Sequence, residues 1–104
     1  MRVQTNTDRS IEGSEALSAQ VEAVVVGALE RFADRVTRVE VHLSDENNAK
    51  GGADDKRCMM EARLEGRPPT AVTHQAATVE QAMEGAAAKL VRSIESTLAR
   101  LREY

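Results

Sequence analysis

The clearest hydrophobic pattern in the chain lies near its C-terminal end, between Thr78 and Arg102. Apolar and small side chains recur there at intervals of three and four residues, which is the period of a helix with one buried face. Thr78 can cap the first turn, and Gln81 follows three residues later, as in a capping box. The pattern predicts a helix over residues 78–102 with a mostly apolar stripe of Val79, Met83, Ala86, Leu90, Ile94, Thr97 and Leu101.

The preceding part of the chain predicts one more helix and four strands. Ser14 can cap a helix over residues 14–33, and Glu15 suits its first turn because a carboxylate there interacts favourably with the helix dipole. Elsewhere the hydrophobic period changes to two, which is typical of strands with one buried face. Pro69 cannot donate to a sheet and so sets the start of the last strand. The predicted strands span residues 2–7, 37–44, 56–65 and 69–76.

The order β-α-β-β-β-α predicts a single α+β domain over residues 1–104. We expect a four-stranded, antiparallel-rich sheet with both helices packed on one face. The segment from Ser44 to Asp55 has no apolar side chain larger than alanine, which predicts a flexible hairpin loop. The predicted core consists of Leu17, Val21, Val25, Leu29, Phe32, Val39, Val41, Leu43, Met60, Leu64, Val72, Met83, Leu90, Ile94 and Leu101.

Composition limits the classes of protein to consider. With 104 residues and 41% hydrophobic content, the chain has the size of one domain and enough apolar residues for a core. No apolar run approaches the roughly 18 residues of a membrane span, and the polar N-terminus does not resemble a secretory signal. Cys58 is the one cysteine, so no internal disulfide can form. We therefore expect a cytoplasmic protein, and its net charge of −3 gives no general indication of nucleic-acid binding.

The predicted last helix nevertheless separates its charges by side. At about 100° per residue, one flank of the apolar stripe carries Lys89, Arg92, Ser96 and Arg100. The other flank carries Glu80, Glu84 and Glu95. Such a separation can orient a protein on a charged partner, although an ordinary solvated helix face is the alternative. We expect the basic flank to face an open concavity or the sheet side, and the acidic flank to face away.

Other reactive residues do not form a recognisable catalytic or metal site. His42 and Cys58 fall on opposite faces of the predicted sheet, and a set of four ligands with zinc spacing is absent from the sequence. We expect Cys58 to be a buried structural residue. The acidic residues between 45 and 55 do not have the spacing of an EF-hand loop. With no arrangement of nucleophile, base and orienting group, the sequence predicts a non-enzyme with neither cofactor nor metal.

Several local strings resemble one known family. Thr78, the step Ala82-Met83, the pair Lys89-Leu90 and Arg92 stand where that family has its helix cap, its Ala-hydrophobic step and its Lys-Leu-x-Arg motif. Together with the element order, these residues resemble the ribosome hibernation-promoting factor and ribosome-associated inhibitor family, also called the sigma-modulation family. The resemblance covers nearly the full length, and we expect the short form of the family. It implies a fold similar to double-stranded-RNA-binding domains.

The resemblance also implies a function. Members of this family silence idle ribosomes without catalysis, by occupying the messenger- and transfer-RNA channel of the small ribosomal subunit. Carried over by position, Lys89 and Arg92 would contact ribosomal RNA, and Arg100 and Arg102 would follow at the basic helix end. The first helix is less basic than is usual in the family. The alternative is therefore a protein-interaction module of the same fold, with a weak homodimer through an exposed sheet edge.

Overall fold

The fold is a mixed sheet covered on one face by two helices. A computed structural model describes residues 1–8, 11–45 and 56–102. Its elements are β1 (Arg2–Thr7), α1 (Glu15–Leu29), a 3₁₀ turn (Glu30–Phe32), β2 (Val36–Asp45), β3 (Lys56–Leu64), β4 (Thr70–Ala76) and α2 (Val79–Arg102). This is the predicted order. Ser44 and Asp45 extend β2, and the rest of the segment predicted to be flexible lies outside the described residues.

Both helices begin at the caps that the sequence indicates. The backbone N–H of Leu17 donates to Ser14 Oγ at 3.0 Å, and that of Gln81 donates to Thr78 Oγ1 at 3.1 Å. Each bond satisfies a backbone donor that has no partner within the first turn. α1 ends sooner than the predicted residue 33, because the chain tightens into the 3₁₀ turn. This turn buries Phe32, and the N–H of Arg35 then donates to its carbonyl at 2.8 Å.

The four strands lie in chain order, β1-β2-β3-β4. β1 and β2 are parallel and are joined by the α1 crossover, whereas the β2–β3 and β3–β4 pairs are antiparallel. The antiparallel-rich prediction is correct, and the sheet as a whole is mixed. Alternation of side chains along β2 places Val39, Val41 and Leu43 on the face towards the helices and Arg38 and His42 on the other face.

The core forms between that sheet face and the two helices. Twelve predicted core positions are buried, namely Val21, Val25, Leu29, Phe32, Val39, Val41, Leu43, Met60, Leu64, Met83, Leu90 and Ile94. The other three are half-buried: Leu17, near the start of α1, and Val72, on the edge strand, pack against this core, and Leu101 lies near the end of α2. Part of the interior consists of small side chains, and these allow α2 to approach the sheet closely. The buried alanines are Ala62, Ala82, Ala86 and Ala87.

Two contacts position α2 over the edge strand β4. Thr70 Oγ1 and Ser93 Oγ lie 2.6 Å apart and share a hydrogen bond. Farther along β4, the ring of His74 packs so closely on α2 that a Cβ at Gly85 would lie 2.0 Å from its Cδ2 atom. Glycine at this position therefore permits a separation of helix and strand that any larger residue would prevent. These contacts determine which flank of α2 lies beside β4.

Candidate nucleic-acid interface

The basic flank of α2 lies on the β4 side of the helix. Lys89 is half-buried there, and its Nζ atom donates to the backbone carbonyl of Thr73 at 2.8 Å. β4 is an edge strand, which pairs with β3 on one side only. Lys89 therefore joins α2 to the sheet edge, and its ammonium group is partly committed to that contact.

The two arginines of this flank are exposed. Arg92 and Arg100 have no ion-pair partner within the described residues. Arg100 lines an open pocket of about 490 Å³ between the end of α2 and the turn that precedes β4. Arg102 is the last residue of α2, and only its backbone is described. The predicted site residues thus share one helix, but they differ in what each side chain is free to bind.

The acidic flank faces towards α1 and the 3₁₀ turn. Glu95 Oε2 lies 2.5 Å from Arg31 Nη2, and the guanidinium of Arg31 also lies 4.8 Å from the centre of the Phe32 ring. Glu80 and Glu84 are exposed without an ion pair within the described residues. The Arg31–Glu95 pair is exposed on both sides, so it adds little stability, but it neutralises part of the acidic flank.

Topology gathers further arginines at the end of the molecule where α2 finishes. β1 and β2 start at this end and β3 finishes there. The turn that connects β3 to β4 lies at the same end. Arg67 in that turn lines the same pocket as Arg100, although the two residues are far apart in the chain. Sequence reasoning did not select Arg67. The one signal near Arg67 in the sequence is the pair of prolines that follows it. These prolines indicate an extended segment, but they do not indicate that Arg67 lies beside the end of α2.

The helix-free face of the sheet has a mixed charge. Arg2, Arg38 and Arg63 stand side by side in register on β1, β2 and β3. Arg38 pairs with Glu40 and donates to the side-chain oxygen of Gln4. Glu40 on β2 and Glu61 on β3 lie on the same face, so they offset part of the positive charge of these arginines.

The buried cysteine has no catalytic geometry. Cys58 faces the core, and burial raises the pKa of its thiol from 9.0 to about 12, against a smaller opposing effect of Arg57. His74 is its cross-strand partner on the same face, whereas His42 lies on the other face, as predicted. At neutral pH the thiol therefore stays protonated and is a weak nucleophile. In the described part of the chain, no three metal-binding side chains cluster, and no helix is long and apolar enough to cross a bilayer.

The fold is a small α+β domain in which the last helix carries exposed basic side chains on one flank. Residues 5–102 match the family model of the Sigma 54 modulation protein / S30EA ribosomal protein. The chain belongs to this family, as the sequence motifs indicated. No curated protein sequence matches it.

Solved structures of other proteins share the fold, two of them over nearly their full length. The N-terminal domain of Protein Y from Thermus thermophilus superposes with a TM-score of 0.74 at 21% identity, covering 93% of this chain and 99% of that one. A ribosomal subunit interface protein from Coxiella burnetii gives a TM-score of 0.71 at 15% identity, with coverage of 95% and 99%. At these identities the likeness establishes the architecture, including the two helices on one face of the sheet.

Proposed function

We propose that this protein is a ribosome-associated, non-catalytic inhibitor of translation that binds the small ribosomal subunit in the cytoplasm. Family membership supports ribosome association, and the description of one fold neighbour as a ribosomal subunit interface protein agrees with it. We assign RNA binding to the β4 flank of α2 because of its exposed basic side chains. There Arg92 and Arg100 are exposed and have no carboxylate partner among the described residues.

The physical mechanism is electrostatic docking followed by steric obstruction. Arginine side chains that neutralise RNA phosphates release condensed counterions, which drives association even when a protein's net charge is negative. Arg92 and Arg100 contact phosphate, with Arg102 extending the same helix end. Lys89 has a smaller share in this binding because its amine already bonds to β4. The sheet, which α2 supports, then blocks the channel of the small subunit to messenger and transfer RNA.

Binding to separated ribosomal subunits tests this proposal. We expect the wild-type protein to pellet with purified small subunits, to remain in solution with large ones, and to inhibit translation of a reporter messenger RNA in vitro. The variant Arg92→Glu/Arg100→Glu should lose more than tenfold in affinity, because each lost phosphate contact costs on the order of 1 kcal/mol. Lys89 is left unchanged in this variant, since its reversal would also disturb the contact with Thr73.

The matched control reverses two charges on the opposite flank of the same helix. Glu80→Arg/Glu84→Arg adds positive charge at exposed positions that have no described ion pair. We expect it to bind as well as the wild type or more tightly. Equal losses from the two double variants would contradict a directional role for the basic flank. Failure of the wild type to pellet with either subunit would contradict ribosome binding itself.

The second candidate is a protein-interaction module that has kept the fold and lost strong RNA binding. The alternation of arginine and glutamate on the helix-free sheet face favours it, because mixed charge suits a protein partner. Pairing through the β4 edge requires displacement of Lys89 from Thr73, so a weak homodimer would use β1 more readily. Sedimentation showing a concentration-dependent dimer, together with no ribosome binding, would favour this candidate.

A further inference from the structure

The pocket between the β3–β4 turn and the end of α2 has a composition that suits one nucleotide. Its volume of about 490 Å³ lies within the roughly 300–1,000 Å³ typical of small-ligand sites. Pro68, Pro69 and Leu101 provide apolar surface, while Arg67 projects from the turn and Arg100 from the helix. Among the described residues, no acidic side chain lines this pocket.

The wall formed by the turn is conformationally restricted. The N–H of Arg67 donates to the carbonyl of Leu64 at 3.0 Å, which closes a four-residue turn. Gly66 occupies the third position of that turn with φ of +72°, a conformation that glycine adopts without strain. The proline after Arg67 then restricts Arg67 to extended backbone. Arg67 is therefore presented by a rigid segment.

The wall formed by the helix is fixed to that segment. Thr70, directly after the two prolines, bonds through its hydroxyl to Ser93 Oγ at 2.6 Å. One turn later on α2, Thr97 Oγ1 donates to the carbonyl of Ser93 at 3.0 Å and lines the pocket. The spacing between the two walls is thus determined before any ligand arrives, which reduces the entropy lost on binding.

We propose that this pocket binds one unpaired nucleotide of an RNA chain. The base lies on the apolar surface of Pro68, Pro69 and Leu101, and the guanidinium groups of Arg67 and Arg100 bond to phosphate or stack on the base. The choice of RNA as partner rests on the proposed function. A base in a duplex cannot enter, because its faces are stacked on neighbouring bases. An acidic peptide supplies negative charge but lacks a flat apolar face to cover the prolines.

The test compares a labelled single-stranded RNA oligonucleotide with an RNA duplex of the same length by fluorescence anisotropy. Thr97→Phe fills the pocket without changing charge, and Arg67→Gln removes one guanidinium. Each should weaken single-strand binding about tenfold, the size expected for one stacked base, and should change duplex binding little. Arg92→Gln, outside the pocket, should weaken binding of both RNAs to a similar degree. Thr97→Val controls for the lost hydroxyl at nearly constant shape, and circular dichroism verifies that each variant is folded.

Three results would overturn the proposal. A folded Thr97→Phe variant with unchanged single-strand affinity would show that no base enters the pocket. An Arg67→Gln substitution that weakens single-strand and duplex binding equally would show that Arg67 is a general phosphate contact and not part of a nucleotide pocket. Competition by free AMP as strong as that by the oligonucleotide would assign the pocket to a free nucleotide.

Ribosome binding and the nucleotide pocket can be refuted independently. Wild-type protein that prefers single-stranded RNA but does not pellet with ribosomal subunits would retain the nucleotide pocket and refute ribosome binding. Wild-type protein that pellets with small subunits, together with a Thr97→Phe variant of unchanged single-strand affinity, would support ribosome binding and refute the nucleotide pocket.

Discussion

The close packing of His74 on Gly85 makes a quantitative prediction about the α2–β4 contact. An alanine Cβ at Gly85 would lie 2.0 Å from Cδ2 and 2.5 Å from Cγ of the ring. Because Cγ is the atom through which the ring is attached, tilting the ring cannot relieve the overlap. Gly85→Ala must therefore displace the whole ring or move α2 away from β4.

Two opposing effects determine the size of the response. Alanine stabilises a helix interior by about 1 kcal/mol relative to glycine, whereas overpacking of this kind typically costs about 1–3 kcal/mol. In the wild-type background, Gly85→Ala should thus lower the free energy of unfolding by roughly 0–2 kcal/mol. In a His74→Ala background the overlap is gone, and the same substitution should raise it by about 1 kcal/mol.

Urea unfolding followed by far-ultraviolet circular dichroism measures both effects in one double-mutant cycle. The wild type, the two single variants and the double variant give a coupling free energy, expected to be about 1–3 kcal/mol. Similar denaturant slopes for the four proteins would verify that the unfolded states are comparable. If Gly85→Ala stabilises both backgrounds by the same amount, the ring of His74 does not pack on Gly85 and the reasoning is refuted.

Three further predictions concern single contacts. Lys89→Met removes the bond to Thr73 and should lower the free energy of unfolding by about 1 kcal/mol; an unchanged urea midpoint would contradict this. Ser14→Ala removes the cap of α1 and should cost about 0.5–2 kcal/mol, with Ser14→Thr as the control that keeps an oxygen. Above pH 9.0 the unfolded thiol of Cys58 ionises while the folded thiol, with its pKa of about 12, stays protonated. Stability should therefore fall with rising pH by about 1.4 kcal/mol per unit more than in Cys58→Ala, and parallel pH profiles would contradict the buried thiol.

Periodicity predicts the elements of this fold because each signal is local. The stripe on α2, the cap at Thr78 and the alternation in β2 and β3 depend only on neighbours in the chain. The 3₁₀ turn after α1 was not predicted, since it depends on how Phe32 must enter the core. The flank of α2 that carries Arg92 was also predictable, as it follows from helix geometry.

The contacts of the candidate site depend on tertiary packing and were not accessible in the same way. Predicting the bond from Lys89 to Thr73 requires knowledge of where the β4 edge lies relative to α2. The meeting of Arg67 with Arg100 requires the β3–β4 turn to lie beside the end of α2. Neither arrangement leaves a periodic signal in the sequence, because each joins residues from separate elements.

The salt dependence of binding to purified small subunits tests the central claim most directly. Each phosphate contact contributes about 0.7–0.9 to the slope of log K against log salt. We predict that wild-type affinity falls steeply with salt and that Arg92→Gln/Arg100→Gln reduces the slope by about 1.4–1.8. Glu80→Gln/Glu84→Gln should not reduce it. A shallow wild-type slope, or equal slopes for the wild type and the arginine variant, would contradict RNA docking through the basic flank of α2.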